Sequence, residues 1–221
     1  VSWPAGTPEA FALVRAGYDR IGPRYRDGSR DNAVRLHFVQ TLLDRLGPGS
    51  VVVDLGCGSG EPATRVLAGH HRVVGVDGSL GQLRLARSAA PTAALVQADM
   101  TRLALRPGSV DAVASFYALG HVPAAEHAHL FASIASWLRP GGILLTSAPV
   151  VAGDGRQEDW LGVPMFFGGI GPEATRQAVE AAGLEVEGWE TVAEDEGDGR
   201  TVSFLWITAR RATGERRGPG R

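Results

Sequence analysis

The chain has 221 residues, 44% apolar and 21% charged, with a formal net charge of −2. This length suits one domain with a full core, and the near-neutral balance gives no overall attraction for nucleic acid or anionic lipid. No apolar run approaches the roughly 18 residues of a membrane span; Pro4, Glu9 and Arg15 break any signal-like stretch, and the one cysteine, Cys57, excludes an internal disulfide, so a cytoplasmic location is expected.

Phe11, Val14, Tyr18 and Ile21 fall at helical spacing, as do Val34, Phe38, Leu42 and Leu46. The turn-forming run "GPRYRDGSRD" separates these two predicted helices. From Val51 the pattern becomes short strands alternating with helices. The strands read "VVVDL" (51–55), "RVVGVD" (72–77), "AALVQAD" (93–99), "DAVASFYA" (111–118) and "GILLTSAP" (142–149). Most are apolar on both faces, as a covered parallel sheet requires. Leu130, Phe131, Ile134, Trp137 and Leu138 mark a helix that stops at Pro140-Gly141. The alternation predicts a doubly wound α/β domain.

The end of the chain departs from that rhythm. A helix from about Glu173 stops at Gly183, and two strands follow, 184–194 and 201–211, separated by "DEGDGR". So short a link demands an antiparallel pair. "VSFLWITA" is apolar at odd and even positions alike, which places it inside the sheet. The expected organisation is a single domain over 1–211. Helices within 1–47 cover a sheet domain of 48–211, and a disordered tail of 212–221 follows.

The chemistry gathers at strand ends. Gly56, Gly58 and Gly60 allow a tight turn and close approach of backbone to a ligand. A helix opening at Glu61-Pro62 aims free N–H groups at an anion. Asp77 ends the second strand 21 residues after Gly56, near the offset at which a carboxylate takes ribose hydroxyls. Asp99 ends the third strand and suits an exocyclic amine, with the next N–H, that of Met100, donating to the ring. Together they read as an adenosine site; separately, a glycine turn or a strand-end aspartate has ordinary structural roles, and Ser79 is the better cap for the helix after Asp77. All 22 basic residues are arginine, which excludes a P-loop lysine and Schiff-base chemistry. No His, Cys, Asp or Glu spacing matches a metal site, so none is expected.

"DLGCGSG", "VVGVDGS", "QADMTRL", "DAVASFYALGHV" and "WLRPGG" resemble, in order, the motifs of class I S-adenosylmethionine-dependent methyltransferases. The resemblance runs from about Tyr18 to Arg210. It implies a Rossmann-like fold with a seven-stranded, mostly parallel sheet, an antiparallel last strand and an N-terminal helical cap. It also implies S-adenosylmethionine as cofactor. The methionine part would lie on Gly56, Gly58 and Gly60, the ribose on Asp77 beside Gly78, and the adenine on Asp99 and Met100. Asp54 resembles the first acid of the motif, near the cofactor's amino group, and its local alternative is to bind the turn's own N–H groups. Cys57 resembles a packing residue of the turn. Ser115 and Phe116 fall where the sulfonium lies, and Tyr18 and Tyr25 resemble aromatic residues that close over the cofactor. His121 is the candidate general base, with a hydrogen-bonded structural role as its alternative; Tyr117 faces the acceptor or packs. Trp160, Met165, Phe166 and Phe167 are the expected apolar lining of the acceptor pocket. His70, His71, His127 and His129 are expected in solvent.

The expected activity is methyl transfer to a small molecule, in the secondary metabolism of a high-GC bacterium. Expected partners are that small molecule, with no nucleic acid and no membrane; no residue pattern specifies an oligomeric state. A nicotinamide dehydrogenase would show G-x-G-x-x-G, not the G-x-G-x-G present. A nucleic-acid methyltransferase commonly carries Asn/Asp-Pro-Pro-aromatic where this chain has Ser115-Phe116-Tyr117-Ala118. A protein that binds the cofactor without methylating, in a regulatory role, stays open beside the enzyme, as does a protein methyltransferase.

Overall fold

Successive residues of a strand point to opposite faces of its sheet, so strands that are apolar throughout must serve two cores. The structure, a computed structural model describing residues 8–29, 32–195 and 201–213, has that arrangement. Helices α1 (Pro8–Ser29) and α2 (Ala33–Leu43) precede β1 (Val51–Leu55), α3 (Ala63–Ala68), β2 (Arg72–Asp77), α4 (Leu80–Ala89) and β3 (Ala94–Gln97). Then come β4 (Val110–Ser115), α5 (His127–Trp137), β5 (Leu138–Pro149) and a hairpin of β6 (Gly155–Trp160) and β7 (Val163–Phe167). Helix α6 (Pro172–Ala181), β8 (Leu184–Asp195) and β9 (Thr201–Arg211) follow.

Seven strands form one sheet in the order β3-β2-β1-β4-β5-β9-β8. All pairs from β3 to β5 are parallel, and β9 is antiparallel to both β5 and β8. The expected fold is present, with "VSFLWITA" inside the sheet. On one face Val53, Leu55, Val113, Leu144 and Ile207 pack with Leu130, Phe131 and Ile134 of α5 and Val179 of α6. On the other, Val52, Ala112, Ile143 and Trp206 pack with Phe38, Val39 and Leu42 of α2 and Leu67 of α3. Phe38 stacks on Trp206 with ring centres 3.9 Å apart. No helix among the described residues is long and apolar enough to cross a membrane.

Several boundaries differ from expectation. Helix α1 runs through Gly22 and Pro23 to Ser29, where a turn was expected; proline there forfeits one hydrogen bond to the preceding turn without ending the helix. Helix α2 stops at Leu43, so Leu46 lies beyond it, and its buried face is Arg35, Phe38, Val39 and Leu42. β3 covers only 94–97 and is the exposed edge of the sheet. The stretch 158–169, expected to line the acceptor pocket, falls largely in a separate two-stranded sheet of β6 and β7. His127 is buried, not solvated: it starts α5, its Nε2–H donates to the Val122 carbonyl at 3.1 Å, and burial lowers its pKa. The β8–β9 turn at 196–200, and the expected tail from 214 onward, lie outside the described residues.

Two tryptophans on adjacent strands give a test of the packing. Trp206→Ala should cost about 3–5 kcal/mol in denaturant unfolding, because it empties one core face. Trp189 is 45% exposed on β8, under Arg176, and Trp189→Ala should cost less than about 1 kcal/mol.

Candidate functional site

The glycine turn is built by the strand beside it. Gly56 and Cys57 both donate N–H bonds to the Val76 carbonyl, at 2.8 and 3.0 Å, so the chain reverses directly off β1. Gly56 has φ +72°, and a Cβ there would lie 2.2 Å from that of Ala118, so both backbone shape and space require glycine. The Gly58 N–H donates to Asp77 Oδ2 at 2.9 Å, and the Ser79 N–H donates to Asp77 Oδ1 at 2.8 Å. One aspartate therefore joins the end of β2, the turn after β1 and the start of α4. Burial pushes its carboxyl up to about 6, against the pull of those two N–H bonds. Asp54 is also pushed to about 6 by burial; Thr64 Oγ1 donates to it at 2.6 Å, and among the described residues it binds no N–H of the turn.

A cavity of about 400 Å³ opens over these strand ends. Gly56, Cys57, Gly58, Asp77, Gly78, Asp99, Met100, Phe116, Tyr18 and Tyr25 line it, as do Tyr117 and His121. Gly60, Asp54 and Ser115 do not. Ser115 is fully buried and donates to the Leu55 carbonyl, while Asp54 lies beneath the floor. Thr101 donates both its N–H and its hydroxyl to Asp99 Oδ1, at 2.9 and 2.7 Å, which leaves Oδ2 for a ligand. The Cys57 thiol is buried and its pKa raised, so it is an inert packing group.

Helix α1 forms the opposite wall. Asp19 Oδ1 accepts from Ser79 Oγ at 2.6 Å and from the Gly81 N–H at 2.8 Å, adding a second cap to α4. Phe11 rests on Gly78, where a Cβ would meet its ring at 2.7 Å. Within the run that sequence reading treated as a turn, α1 continues and Tyr25 lines the cavity.

His121 does not have the environment of a general base. A carbonyl can only accept, so Nδ1–H must donate to the Phe166 carbonyl at 2.8 Å. Nε2 then carries the lone pair, and the Tyr18 hydroxyl donates to it at 2.8 Å. Burial lowers the histidine pKa to about 4. The ring is neutral near pH 7 with both nitrogens committed. Tyr117 lines the cavity at φ +60°, yet its hydroxyl donates to the Glu194 carboxylate at 2.7 Å and its pKa is raised, by burial first and by that carboxylate second. Neither side chain is free to take a proton from an acceptor.

Trp160, Met165, Phe166 and Phe167 were expected in the acceptor pocket, and none lines the cavity. Met165 and Phe166 are fully buried, Met165 against Gly17 of α1. Trp160 and Phe167 instead back the wall: Trp160 lies 5.7 Å from the Tyr18 ring, and Phe167 lies 5.0 Å from that of His121. The helix after the turn also departs from expectation. It begins at Ala63 and has only six residues, too short to serve as an anion site.

Among the cavity residues that the sequence reading did not single out, two carry buried polar atoms without partners. Gln82 is 1% exposed, and neither Nε2 nor Oε1 has a hydrogen-bond partner. Arg35 is 9% exposed, and its Nε has none. Arg35 had a legible signal: it sits one turn before Phe38 and Val39 on the buried face of α2, a cation within an apolar stripe. Gln82 had only its place three residues after a helix cap.

The comparisons with known proteins agree with this geometry. A family model described as "Methyltransferase domain" matches residues 52–142. A trans-aconitate 2-methyltransferase from Azoarcus sp. is 37% identical over 119 residues, which is 52% of this chain and 46% of that protein. The chain thus spans less than half the length of that relative. An S-adenosylmethionine-dependent methyltransferase from Mesorhizobium loti superposes with a TM-score of 0.65 at 25% identity, covering 82% of this chain and 99% of that one. The 1,6-didemethyltoxoflavin-N1-methyltransferase of Burkholderia thailandensis, solved with 1,6-didemethyltoxoflavin and S-adenosylhomocysteine, has a TM-score of 0.72 at 21% identity, covering 96% and 93%. At that identity it speaks to the fold alone. With glycine turn, strand-end acids and sheet order in place, residues 52–142 match a methyltransferase domain, and the chain is similar to class I S-adenosylmethionine-dependent methyltransferases.

Proposed function

We propose that this cavity binds S-adenosylmethionine and that the protein transfers its methyl group to a small-molecule acceptor. The observation that carries the reading is one of order. The glycine turn follows β1, Asp77 ends β2, Asp99 lies two residues past β3, and all three open on one cavity. The fit to a polar nucleoside ligand is independent of any family pattern. A buried amide without partners costs about 1–3 kcal/mol per group, and Gln82, which lines the cavity, has both of its polar atoms buried without a hydrogen-bond partner. A ligand rich in hydroxyl and amino groups removes that cost. Asp77 would take the ribose, Asp99 and Met100 the adenine, and the turn the amino-acid end. Residues 1–211 would then act as one domain, with the helices of 1–47 covering the cofactor.

When bound, the cofactor supplies a methyl group already activated by its sulfonium. Orientation and exclusion of water are left to the chain, and orientation alone is worth at best about 7–11 kcal/mol. The wall of Tyr18 and Tyr25, backed by Trp160, serves both ends. His121 contributes by holding Tyr18 in place, so we assign it a positioning role. The acceptor then brings its own lone pair, as a carboxylate or a neutral amine does. A small acceptor is supported by the cavity volume, by the net charge, and by the names of relatives that act on trans-aconitate and 1,6-didemethyltoxoflavin. The lysine-free composition supports a high-GC bacterial setting, with secondary metabolism as the finer inference and the cytoplasm as the compartment.

The activity is tested with methyl-labelled S-adenosylmethionine and an extract of a high-GC bacterium. Label should appear among small molecules; label in RNA or protein instead would refute the acceptor class.

The titration of Asp77 gives a second expectation. Ribose hydroxyls bind the ionised carboxylate, whose pKa before binding is about 6. Affinity for S-adenosylhomocysteine in calorimetry should therefore rise with pH through about 6, with proton release, and then level off. Asp77→Asn should weaken binding and flatten the profile. Stability of the free protein runs the other way: a carboxyl raised in the fold favours the protonated folded state, so stability falls as pH climbs from about 4 to about 6.

His121 is followed by its imidazole resonances. They should show a neutral ring from pH 5 to 8, with Nδ1 protonated. A midpoint near 6.5 would restore it as a candidate base.

A further inference from the structure

We propose that the cofactor enters and leaves between α1 and α4, and that Asp19 is the positioning residue that latches this seam. The inference rests on the reading of the cavity as a cofactor site and goes beyond it by naming the wall that moves.

The two edges of α1 are fastened by different physics. Along β7 the helix is held by burial. Ile21, Val163 and Met165 form one buried cluster, with Tyr18 and Trp160 packed against it, and no described residue of α4 belongs to it. A Cβ on Gly17 would lie 2.6 Å from Met165 Cε, so helix and strand are in close contact. Parting them would return apolar surface to water, which is unfavourable. Along α4 the contact is thinner and polar. Phe11 rests on Gly78, while Gly22 faces Leu85 and Gln82 with room for a Cβ. The fastening there is the Asp19 carboxylate, whose Oδ1 accepts from Ser79 Oγ at 2.6 Å and from the Gly81 N–H at 2.8 Å. Asp19 is exposed, so water replaces both bonds as they break, and the cost of opening is small. The β7 edge is the hinge and the α4 edge is the one that opens.

The seam leads to the acid assigned to the ribose. Ser79, whose hydroxyl Asp19 holds, gives its own N–H to Asp77 Oδ1 at 2.8 Å. Gly78, Ser79 and Gln82 line the cavity from one side of the seam, and Phe11, Arg15 and Tyr18 line it from the other. Asp19 itself does not line it. Moving α1 off α4 therefore uncovers Asp77, while the Gly58–Asp77 bond keeps the floor of the site in place. Gly81 shows how close the joint is. A Cβ there would lie 3.1 Å from Asp19 Oδ1 and 3.3 Å from Asp19 Cα, closer than α1 tolerates without giving way.

Stopped-flow binding of S-adenosylhomocysteine, followed by tryptophan fluorescence, tests this. Asp19 touches the seam and not the cavity, so Asp19→Ala should raise the association and dissociation rates together. The rise should be about tenfold, as loss of a charged hydrogen bond gives, and the ratio of the rates, Kd, should stay nearly unchanged. Asp19→Asn keeps an oxygen that accepts both bonds and should restore most of the slow exchange. Gly81→Ala approaches from the other side of the seam. It favours the helix but pushes α1 away, so it should also speed both rates, and it serves where Asp19→Ala does not fold. Unchanged rates in these variants would show that the cofactor does not pass the seam and would overturn the proposal. Faster dissociation with slower association would overturn it too, by making Asp19 a support of the bound site rather than a latch. Failure of the unsubstituted protein to bind S-adenosylhomocysteine would instead bring down the cofactor reading itself.

Discussion

The Gly58 N–H bond to Asp77 is the contact on which the site depends. It crosses from the turn after β1 to the end of β2, and the other oxygen of the same carboxylate holds the first residue before α4. Two βα connections are thus fixed relative to one another by a single side chain. The geometry works because Gly56, Gly58 and Gly60 all have positive φ, which lets the turn present N–H groups to the neighbouring strand rather than continue its own. An aspartate in this position serves the fold before it serves a ligand. A parallel sheet gathers such ends along one edge, and a cavity over that edge follows from the topology.

The electrostatics of the cavity are lopsided without a ligand. Asp54 and Asp77 are held near 6 by burial at the turn, while Arg35, on α2, has no ion pair among the described residues. The Gln82 amide adds donors and an acceptor with nothing to bind. In a core built only for stability, these groups would be paired or replaced by apolar ones. Their arrangement fits the proposed site, whose last components would arrive with the ligand. The walls are aromatic by contrast, with Phe11, Tyr18, Tyr25 and Phe116 lining the cavity.

The sheet was legible because its physics is local. β1, β2 and β9 match the sequence reading residue for residue, since unbroken apolar runs bounded by glycine and aspartate admit few alternatives. The glycines and both strand-end aspartates were legible for the same reason. What sequence reading missed depends on partners far away in the chain. The β6–β7 hairpin looked like a pocket wall because Met165 and Phe166 are apolar, yet Met165 is buried against Gly17, which no local pattern announces. α1 outlasts Gly22-Pro23 because α4 and β7 pack along it. His121 looked like a base because an unperturbed histidine titrates near neutrality; its burial between Tyr18 and Phe166 could be seen only in three dimensions. Arg35 was visible as an anomaly of α2, while its contacts with Tyr117 and Glu61 were not.

The central claim is that Asp77 and Asp99 mark the two ends of a bound adenosine. The most direct measurement is a crystal structure of the protein with S-adenosylhomocysteine. The account predicts ribose hydroxyls on the Asp77 carboxylate and the adenine amine on Asp99, under the wall of α1. Nucleoside density elsewhere, or an Asp77 that meets no hydroxyl, would contradict it.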